Sequence, residues 1–358
     1  MVAPTLAAIT VDPTGGGIAA VARLFWRVIR EQWAPHARLV TMFDHESRPA
    51  TFGEKARYTV SMASAQMFGR TDWILFTHLG LAKIQKSVPA RLRRPYGVFL
   101  HGIEAWKPFT TTEHDAVAGA QLRIANSRYT ADRVTAAHPS IGAIAVCPLA
   151  LAPRAEAPRA TRLLGPIGPH AVLAVGRMSR SERYKGHDQL IESWPQVLAK
   201  VHDAQLIIAG DGDDAPRLKE KAAAGRAGGQ IQFTGFVSKA TLDALYQAAA
   251  LFALPSRAEG FGLVYLEAMA HRLPCIGSIH DAAREVIVDG QTGRLVDQDD
   301  AECLAETIAT LLLDDERRRR MGEAGYRRLV SEFSFDRFED RVCNLLHADR
   351  PAAVSAAV

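Results

Sequence analysis

Two glutamates eight positions apart, Glu259 and Glu267, flank the passage Gly260-Phe261-Gly262 and the start of an apolar run. Glycine carries no Cβ, so backbone N–H groups in this passage can come close to a ligand. From Leu263 to Ala270 the residues are good helix formers and mostly apolar, which predicts a buried helix. The start of such a helix offers unpaired N–H groups and the positive end of its dipole to an anion, most naturally a phosphate. A carboxylate on either side of an anion-binding helix start suits a ligand with both phosphates and hydroxyls, such as a sugar nucleotide. Upstream, Arg177 brings a planar guanidinium and Lys185 a compact ammonium, a pair able to neutralise a diphosphate. Each residue also has a plainer reading: Arg177 as half of a surface ion pair, the glutamates as helix caps. Their conjunction at strand ends favours the ligand.

Those strand ends follow from the hydrophobic pattern. In the first half, apolar runs at 6–11, 73–77, 97–100, 122–125 and 144–148 read as buried strands. In the second half the runs are 171–175, 205–209, 231–234, 251–255, 274–277 and 294–296. Helical spacing fills the intervals, so each half reads as a doubly wound α/β domain. Between the first strand and a helix carrying Ile18, Val21, Ala22, Phe25, Val28 and Ile29 lies Asp12-Pro13-Thr14-Gly15-Gly16-Gly17. Strand, glycine loop and helix form a phosphate-binding arrangement, but a plain tight turn explains three glycines equally well. His78 and His101 follow the runs at 73–77 and 97–100, at the strand ends where open α/β sheets place ligands. Gly102 leaves space beside His101, and Glu104 stands ready to orient it. Asp289-Gly290-Gln291-Thr292-Gly293 reads as a hairpin-like turn.

A chain of 358 residues exceeds the usual size of one core and predicts two domains. Pro148, Pro153, Pro158, Pro166 and Pro169 fall in an aperiodic stretch that reads as a linker. The expected division is a first domain at 1–152, a linker at 153–168, a second domain at 169–333, and a helix at 334–358 that packs back on the first domain. With 48% apolar and 23% charged residues the chain is globular, and a net charge of +4 is too small to argue for nucleic acid. Cys147, Cys275, Cys303 and Cys343 are widely separated and read as reduced, mostly buried thiols. No apolar run is long enough to span a bilayer and no leader pattern opens the chain, so a cytoplasmic protein is expected. Peripheral contact with the inner face of the membrane stays open; the run Arg317-Arg318-Arg319-Arg320 reads first as a solvated helix face.

Across nearly its whole length the sequence resembles the family 4 retaining glycosyltransferases. The most specific part is the Glu259/Glu267 pair within Pro255-Ser256-Arg257-Ala258-Glu259-Gly260-Phe261-Gly262-Leu263. Gly176-Arg177-Met178, Tyr184-Lys185-Gly186, Gly210-Asp211-Gly212, Gly235-Phe236 and Asp289-Gly290-x-x-Gly293 follow the family's order and spacing. The resemblance implies a GT-B architecture, two Rossmann-like domains facing a central cleft, the second binding the donor. It further implies that Gly16 and Gly17 approach the donor diphosphate, that Arg177 and Lys185 neutralise it, and that Glu267 holds the ribose. Phe261, Gly262 and Leu263 would contact donor sugar and phosphate through backbone, Glu259 would face the sugar, and Val237 would lie near the base. His101 matches the family histidine beside the transferring carbon.

The implied donor is a UDP- or GDP-sugar and the implied acceptor a glycan or lipid-linked hydroxyl, with no metal or other cofactor. Asp211-Gly212-Asp213 looks like a metal-binding Asp-x-Asp, but it follows a second-domain strand, where the Arg/Lys pair already supplies positive charge. Pro148-Leu149-Ala150 departs from the family's Asn-Pro-Gly and leaves the hinge geometry open. A nucleotide-sugar epimerase or a glycan phosphorylase shares the two-domain plan, and a sugar-nucleotide sensor without catalysis stays open. A pyridine-nucleotide oxidoreductase is disfavoured because Gly-x-Gly-x-x-Gly is absent.

Overall fold

The computed structural model describes residues 3–43, 50–152, 166–225 and 227–348. The chain divides into two compact units, Met1–Ala150 with Phe335–Val358, and Leu151–Ser334. Most of the expected linker, 153–165, lies outside the described residues.

The first unit holds six strands: β1 (Pro4–Ala8), β2 (Arg38–Thr41), β3 (Trp73–Phe76), β4 (Tyr96–Leu100), β5 (Leu122–Ala125) and β6 (Ala145–Val146). They pair in the order β2-β1-β3-β4-β5-β6, every pair parallel. β1 stops at Ala8 and does not follow the apolar run to Val11, because the Thr10 hydroxyl already accepts from the Asp12 amide (3.0 Å) and starts the turn. β2 is a short, partly exposed edge strand whose apolar pair is Leu39-Val40, and the strand reading of the sequence does not include it. The Gly17–Trp33 helix buries Val21, Phe25, Val28 and Ile29 along one stripe, as its spacing dictates. Phe25 meets Phe99 edge-on at 5.0 Å on one side and Phe338 at 5.2 Å on the other.

Phe338 belongs to the Phe335–Ala348 helix, which packs within this same unit. The Arg27 guanidinium lies 4.5 Å from the Phe335 ring centroid, and Gln32 Nε2 donates to Glu339 Oε1 at 2.9 Å.

In the second unit the strands are β7 (Ala171–Val175), β8 (Gln205–Ala209), β9 (Ile231–Gly235), β10 (Leu251–Ala253), β11 (Cys275–Ser278) and β12 (Gly293–Val296). The order is β12-β11-β10-β7-β8-β9, again all parallel. The turn at Asp289 therefore does not make a hairpin: β12 runs parallel to β11, and the chain reaches it from the short Ala283–Val286 helix. The Gly290 amide bonds the Gly293 carbonyl at 2.9 Å, and Asp289 Oδ1 accepts from the Leu295 amide at 2.9 Å, which fixes the strand's entry. Trp194, Leu190 and Val197 of the His187–Lys200 helix pack in one core with Leu304, Ile308 and Leu312 of the Ala301–Leu313 helix.

The arginine run lies in the Asp315–Glu332 helix, and it is not uniformly solvated. Arg318 turns inward and donates to the Leu311 carbonyl (2.7 Å), satisfying the end of the preceding helix. Of the four cysteines, Cys147 and Cys275 are buried, whereas Cys303 is exposed and Cys343 half-buried, so the expectation of mostly buried thiols holds for two. Among the described residues no helix is long and apolar enough to cross a membrane.

In each sheet the strand order reverses once, between β1 and β3 and between β7 and β10. Ligands of open α/β sheets bind outside the carboxyl ends of the strands at such switch points.

Phe338 is fully buried between two aromatic neighbours. Phe338→Ala is expected to cost about 3–5 kcal/mol of stability, read as an earlier urea midpoint for the unit containing Phe25. A loss below about 1 kcal/mol would mean that the terminal helix contributes little to that core.

Candidate active site

In the second unit the switch point gathers the loops after β7 and β10. β7 runs into Gly176-Arg177-Met178 and then a short helical stretch, Arg180–Lys185, that ends at Gly186. Gly186 has φ +84, and a Cβ there would sit 2.4 Å from the Pro255 carbonyl oxygen. The left-handed turn and the contact with the loop after β10 both require glycine. They set Lys185 facing that loop, and its Nζ donates to Glu259 Oε1 at 2.6 Å. Burial opposes the Lys185 charge, but the Glu259 carboxylate outweighs it and the Lys185 pKa is raised. The Tyr184 ring lies 5.6 Å from the same ammonium, and burial pushes its hydroxyl up to about 12.

Glu259 is held from behind by a residue that the sequence pattern does not reveal. Asp281, fully buried after β11, accepts the Glu259 amide at 3.0 Å and the Ala283 amide at 2.9 Å. The Ala282 amide returns a bond to the Glu259 carbonyl at 3.2 Å. Burial pushes the Asp281 carboxyl up to about 7, against the hydrogen bonds that favour its charge.

Phe261 does not face the loop's open side; it is buried, with its ring edge-on to Phe333 at 5.8 Å. That anchor leaves backbone as the part of Phe261 to meet a ligand. Gly262 caps the Leu263–Ala270 helix with φ +88, and a Cβ there would lie 2.5 Å from the Tyr265 ring. Glu267 is the fifth of the helix's eight residues, one turn beyond its start. Its Oε2 accepts from the Tyr246 hydroxyl at 2.9 Å, and Tyr246 stacks on His271 with centroids 5.2 Å apart. Burial raises the Glu267 pKa, partly offset by the Tyr246 bond.

The Arg177 guanidinium makes a fork with Glu182, Nε to Oε2 at 3.2 Å and Nη2 to Oε1, and its side chain is 67% exposed. Val237 lies between β9 and the Lys239–Ala248 helix, next to Phe236, whose ring is exposed. Asp211 and Asp213 are engaged locally: Asp211 Oδ1 with the Gly212 amide at 2.8 Å, Asp213 Oδ1 with the Arg180 amide at 2.9 Å. Among the described residues no group of three or more His, Cys, Asp or Glu stands ready to hold a metal.

Below this site a separate ion network fixes the backbone. Arg217 bonds both Asp188 (2.8 and 2.7 Å) and Asp214 (2.9 and 2.6 Å), and Arg183 adds two bonds to Asp214 (3.0 and 2.8 Å). These arginines hold the Asp188 carboxyl down at about 2 and the Asp214 carboxyl below its usual range.

In the first unit, Gly16 caps the Gly17–Trp33 helix without a side-chain bond, and a Cβ on Gly17 would meet open space. The Asp12 carboxylate braces the loop through the Thr14 amide (2.9 Å) and hydroxyl (2.8 Å). His101 Nε2 lies 2.6 Å from the Thr77 carbonyl oxygen. A carbonyl only accepts, so Nε2 carries a proton. Glu104 does not orient this ring, as had been expected; its Oε1 accepts the backbone amides of His101 (2.5 Å) and Gly102 (3.3 Å) and so fixes the turn. His78 lies 5.9 Å from His101, ring to ring, and burial followed by its neighbour's charge lowers its pKa to about 4.

Residues 168–328 match the model of the glycosyl transferases group 1. Among curated relatives, the chain is 34% identical over 178 residues to a GDP-mannose-dependent monoacylated alpha-(1-6)-phosphatidylinositol monomannoside mannosyltransferase of Corynebacterium glutamicum, covering 48% of this chain and 46% of that one. It is 30% identical over 174 residues to the alpha-D-kanosaminyltransferase of Streptomyces kanamyceticus, covering 49% and 44%. The chain thus spans about half the length of the curated relatives it matches. Among solved structures, Anabaena HepE in complex with UDP and glucose aligns with a TM-score of 0.72 at 18% identity, covering 96% of this chain and 99% of that one. Sucrose-phosphate synthase from Thermosynechococcus elongatus aligns with a TM-score of 0.79 at 19% identity, covering 97% and 99%. The fold is therefore GT-B: two parallel six-stranded sheets with flanking helices.

A carboxyl whose folded pKa is about 7 binds its proton more tightly folded than unfolded. Its contribution to stability is full below its unfolded value of about 3.9 and declines as pH rises through the folded value. Between about pH 5 and pH 8 the wild-type advantage over Asp281→Asn should therefore shrink by about 2–3 kcal/mol in urea unfolding. An advantage that stays constant or grows would rule out the raised carboxyl.

Proposed function

Because residues 168–328 carry a glycosyl transferases group 1 domain, we propose that the chain is a retaining, metal-independent glycosyltransferase. It moves a sugar from a nucleoside diphosphate sugar to an acceptor hydroxyl in polysaccharide, lipopolysaccharide or glycolipid assembly. The observation that carries this reading is the Lys185–Glu259 pair beside the Leu263–Ala270 helix at the β7/β10 switch point. A donor of UDP or GDP type is supported by the GDP-mannose dependence named for the corynebacterial relative and by the UDP in HepE. The lipid acceptor named for the former supports a lipid-linked or glycan acceptor and work at a membrane surface.

The chain's own residues divide the labour. Lys185 is charged at any physiological pH, and without donor Glu259 neutralises it. An arriving diphosphate competes for the ammonium and releases the Glu259 carboxylate to accept sugar hydroxyls. Arg177 reaches the phosphates by leaving Glu182, and exposure makes that exchange cheap. As the bond to the diphosphate breaks, charge grows on the leaving group, and Arg177, Lys185 and the helix start stabilise it. The acceptor attacks from the leaving-group face and a departing phosphate oxygen takes its proton, so configuration is retained. Glu267, held by Tyr246, accepts from the ribose, and backbone at Phe261, Gly262, Leu263 and Val237 meets the sugar, phosphate and base. In the first unit Gly16 and Gly17 meet the diphosphate and His101 the transferring carbon, an assignment that rests on the family resemblance.

Lys185→Ala should lower kcat a hundredfold or more, about 3 kcal/mol of transition-state stabilisation. Turnover within a few-fold of wild type in a sugar-transfer assay would refute the phosphate role. Glu267→Ala should act mainly on donor KM, because ribose contacts change little during reaction. An effect on kcat alone would contradict that role.

A further inference from the structure

In the first sheet β3 lies between β1 and β4, all parallel, so their carboxyl ends lead to the Gly16-Gly17 loop, His78 and His101 in that spatial order. His101 Nε2–H ends on the carbonyl of Thr77, the residue before His78, and the two rings lie 5.9 Å apart. His78 is the N-cap of the short Leu79–Ala82 helix, its Nδ1 accepting the Gly80 amide at 2.9 Å. A nitrogen that accepts holds no proton. Burial, then the charge of His101, lowers the His78 pKa to about 4, so the ring is neutral near pH 7 and its one proton is on Nε2. That Nε2–H has no hydrogen-bond partner among the described residues, and in a half-buried side chain it is not closed off from solvent.

A helix cap needs only the acceptor. Ser, Thr, Asp and Asn supply one on shorter side chains and rank best at that position, so the second ring nitrogen of His78 is surplus to the local fold. It offers one uncharged N–H donor at the strand end beside His101. Such a donor matches the lone pair of a hydroxyl oxygen better than a phosphate, which cations serve. In the reading proposed above, Gly16 and Gly17 meet the diphosphate and His101 the transferring carbon. The uncharged oxygen that belongs between those two, on the leaving-group face, is the acceptor's.

Resting on that reading, we propose that His78 Nε2–H donates to the attacking oxygen of the acceptor and sets its orientation. The oxygen's own hydrogen is then left to point at the departing phosphate oxygen. As the acceptor oxygen bonds to the transferring carbon, the bond from that carbon to the diphosphate breaks and its electron pair leaves with the phosphate. The acceptor's proton passes to the departing oxygen, and His78 keeps its own proton throughout.

Two substitutions in the full chain separate this donor from the cap. His78→Asn puts a carbonyl oxygen where Nδ1 stands and still caps the helix, but brings no N–H to the place of Nε2. His78→Gln carries an amide N–H toward that place and gives up the cap. Release of nucleoside diphosphate from GDP-mannose and from UDP-glucose is measured with water as the attacking oxygen, alongside melting temperature and calorimetric affinity for both donors. His78→Asn should melt and bind donor like wild type, yet lose at least about tenfold in kcat, the worth of one hydrogen bond. His78→Gln should melt lower but turn over faster than His78→Asn. The proposal is overturned if His78→Asn keeps the wild-type kcat, if its loss lies in donor affinity, or if the two rates simply follow the two melting temperatures. A wild type that releases no nucleoside diphosphate from either donor would instead overturn the transferase reading itself, and this inference with it.

Discussion

The Lys185 ammonium and the Glu259 carboxylate share a 2.6 Å contact that is largely withdrawn from water, and the second unit's strand ends are built to permit it. Desolvating two charges is costly unless geometry and further hydrogen bonds compensate. Three local devices provide the geometry. Gly186 allows the chain to pass the Pro255 carbonyl, the Arg257 amide bonds the Tyr184 carbonyl at 2.9 Å, and Asp281 holds the Glu259 amide. Each tie joins segments distant in sequence. The ion pair thus stands on fixed backbone, as a site that must keep its charges placed before a ligand arrives requires.

The neighbouring Arg183, Arg217, Asp188 and Asp214 network uses the same residue types for a different end. Its carboxylates are saturated by arginine forks, and Asp214 is almost inaccessible, so nothing there is left to exchange with a ligand. Lys185 has one carboxylate oxygen within reach, and Arg177 sits on a solvent-exposed fork. Arg217 would give up four carboxylate bonds to meet a ligand, Lys185 one.

Legibility in the sequence followed the range of the interaction that made each feature. The α/β alternation, the glycine turns and the Glu259/Glu267 spacing are local, and the sheets bear out the fold they imply. Asp281 and Tyr246 act on Glu259 and Glu267 from twenty-one or more positions away, with no spacing rule to betray them. Glu104 was read as a partner for the His101 ring because proximity in sequence does not tell a backbone amide from a side chain. The turn at Asp289 carries hairpin residues, yet β12 joins its sheet in parallel; turn chemistry sets the bend, and β11 sets the pairing direction. β2 escaped notice because it is only four residues long and begins with a charged Arg38, as edge strands often are short and charged.

The helix Phe335–Ala348 completes the first unit although the whole of the second unit precedes it in the chain. On a ribosome, which extends the chain from its N-terminus, the segment Leu151–Ser334 is contiguous and can close its core as soon as it emerges. The Gly17–Trp33 helix must wait for Phe338, with its Phe25 side uncovered for more than three hundred residues of synthesis. Order of birth and order of completion are thereby inverted, and a chain halted before Phe335 would carry a finished second unit beside an unfinished first one.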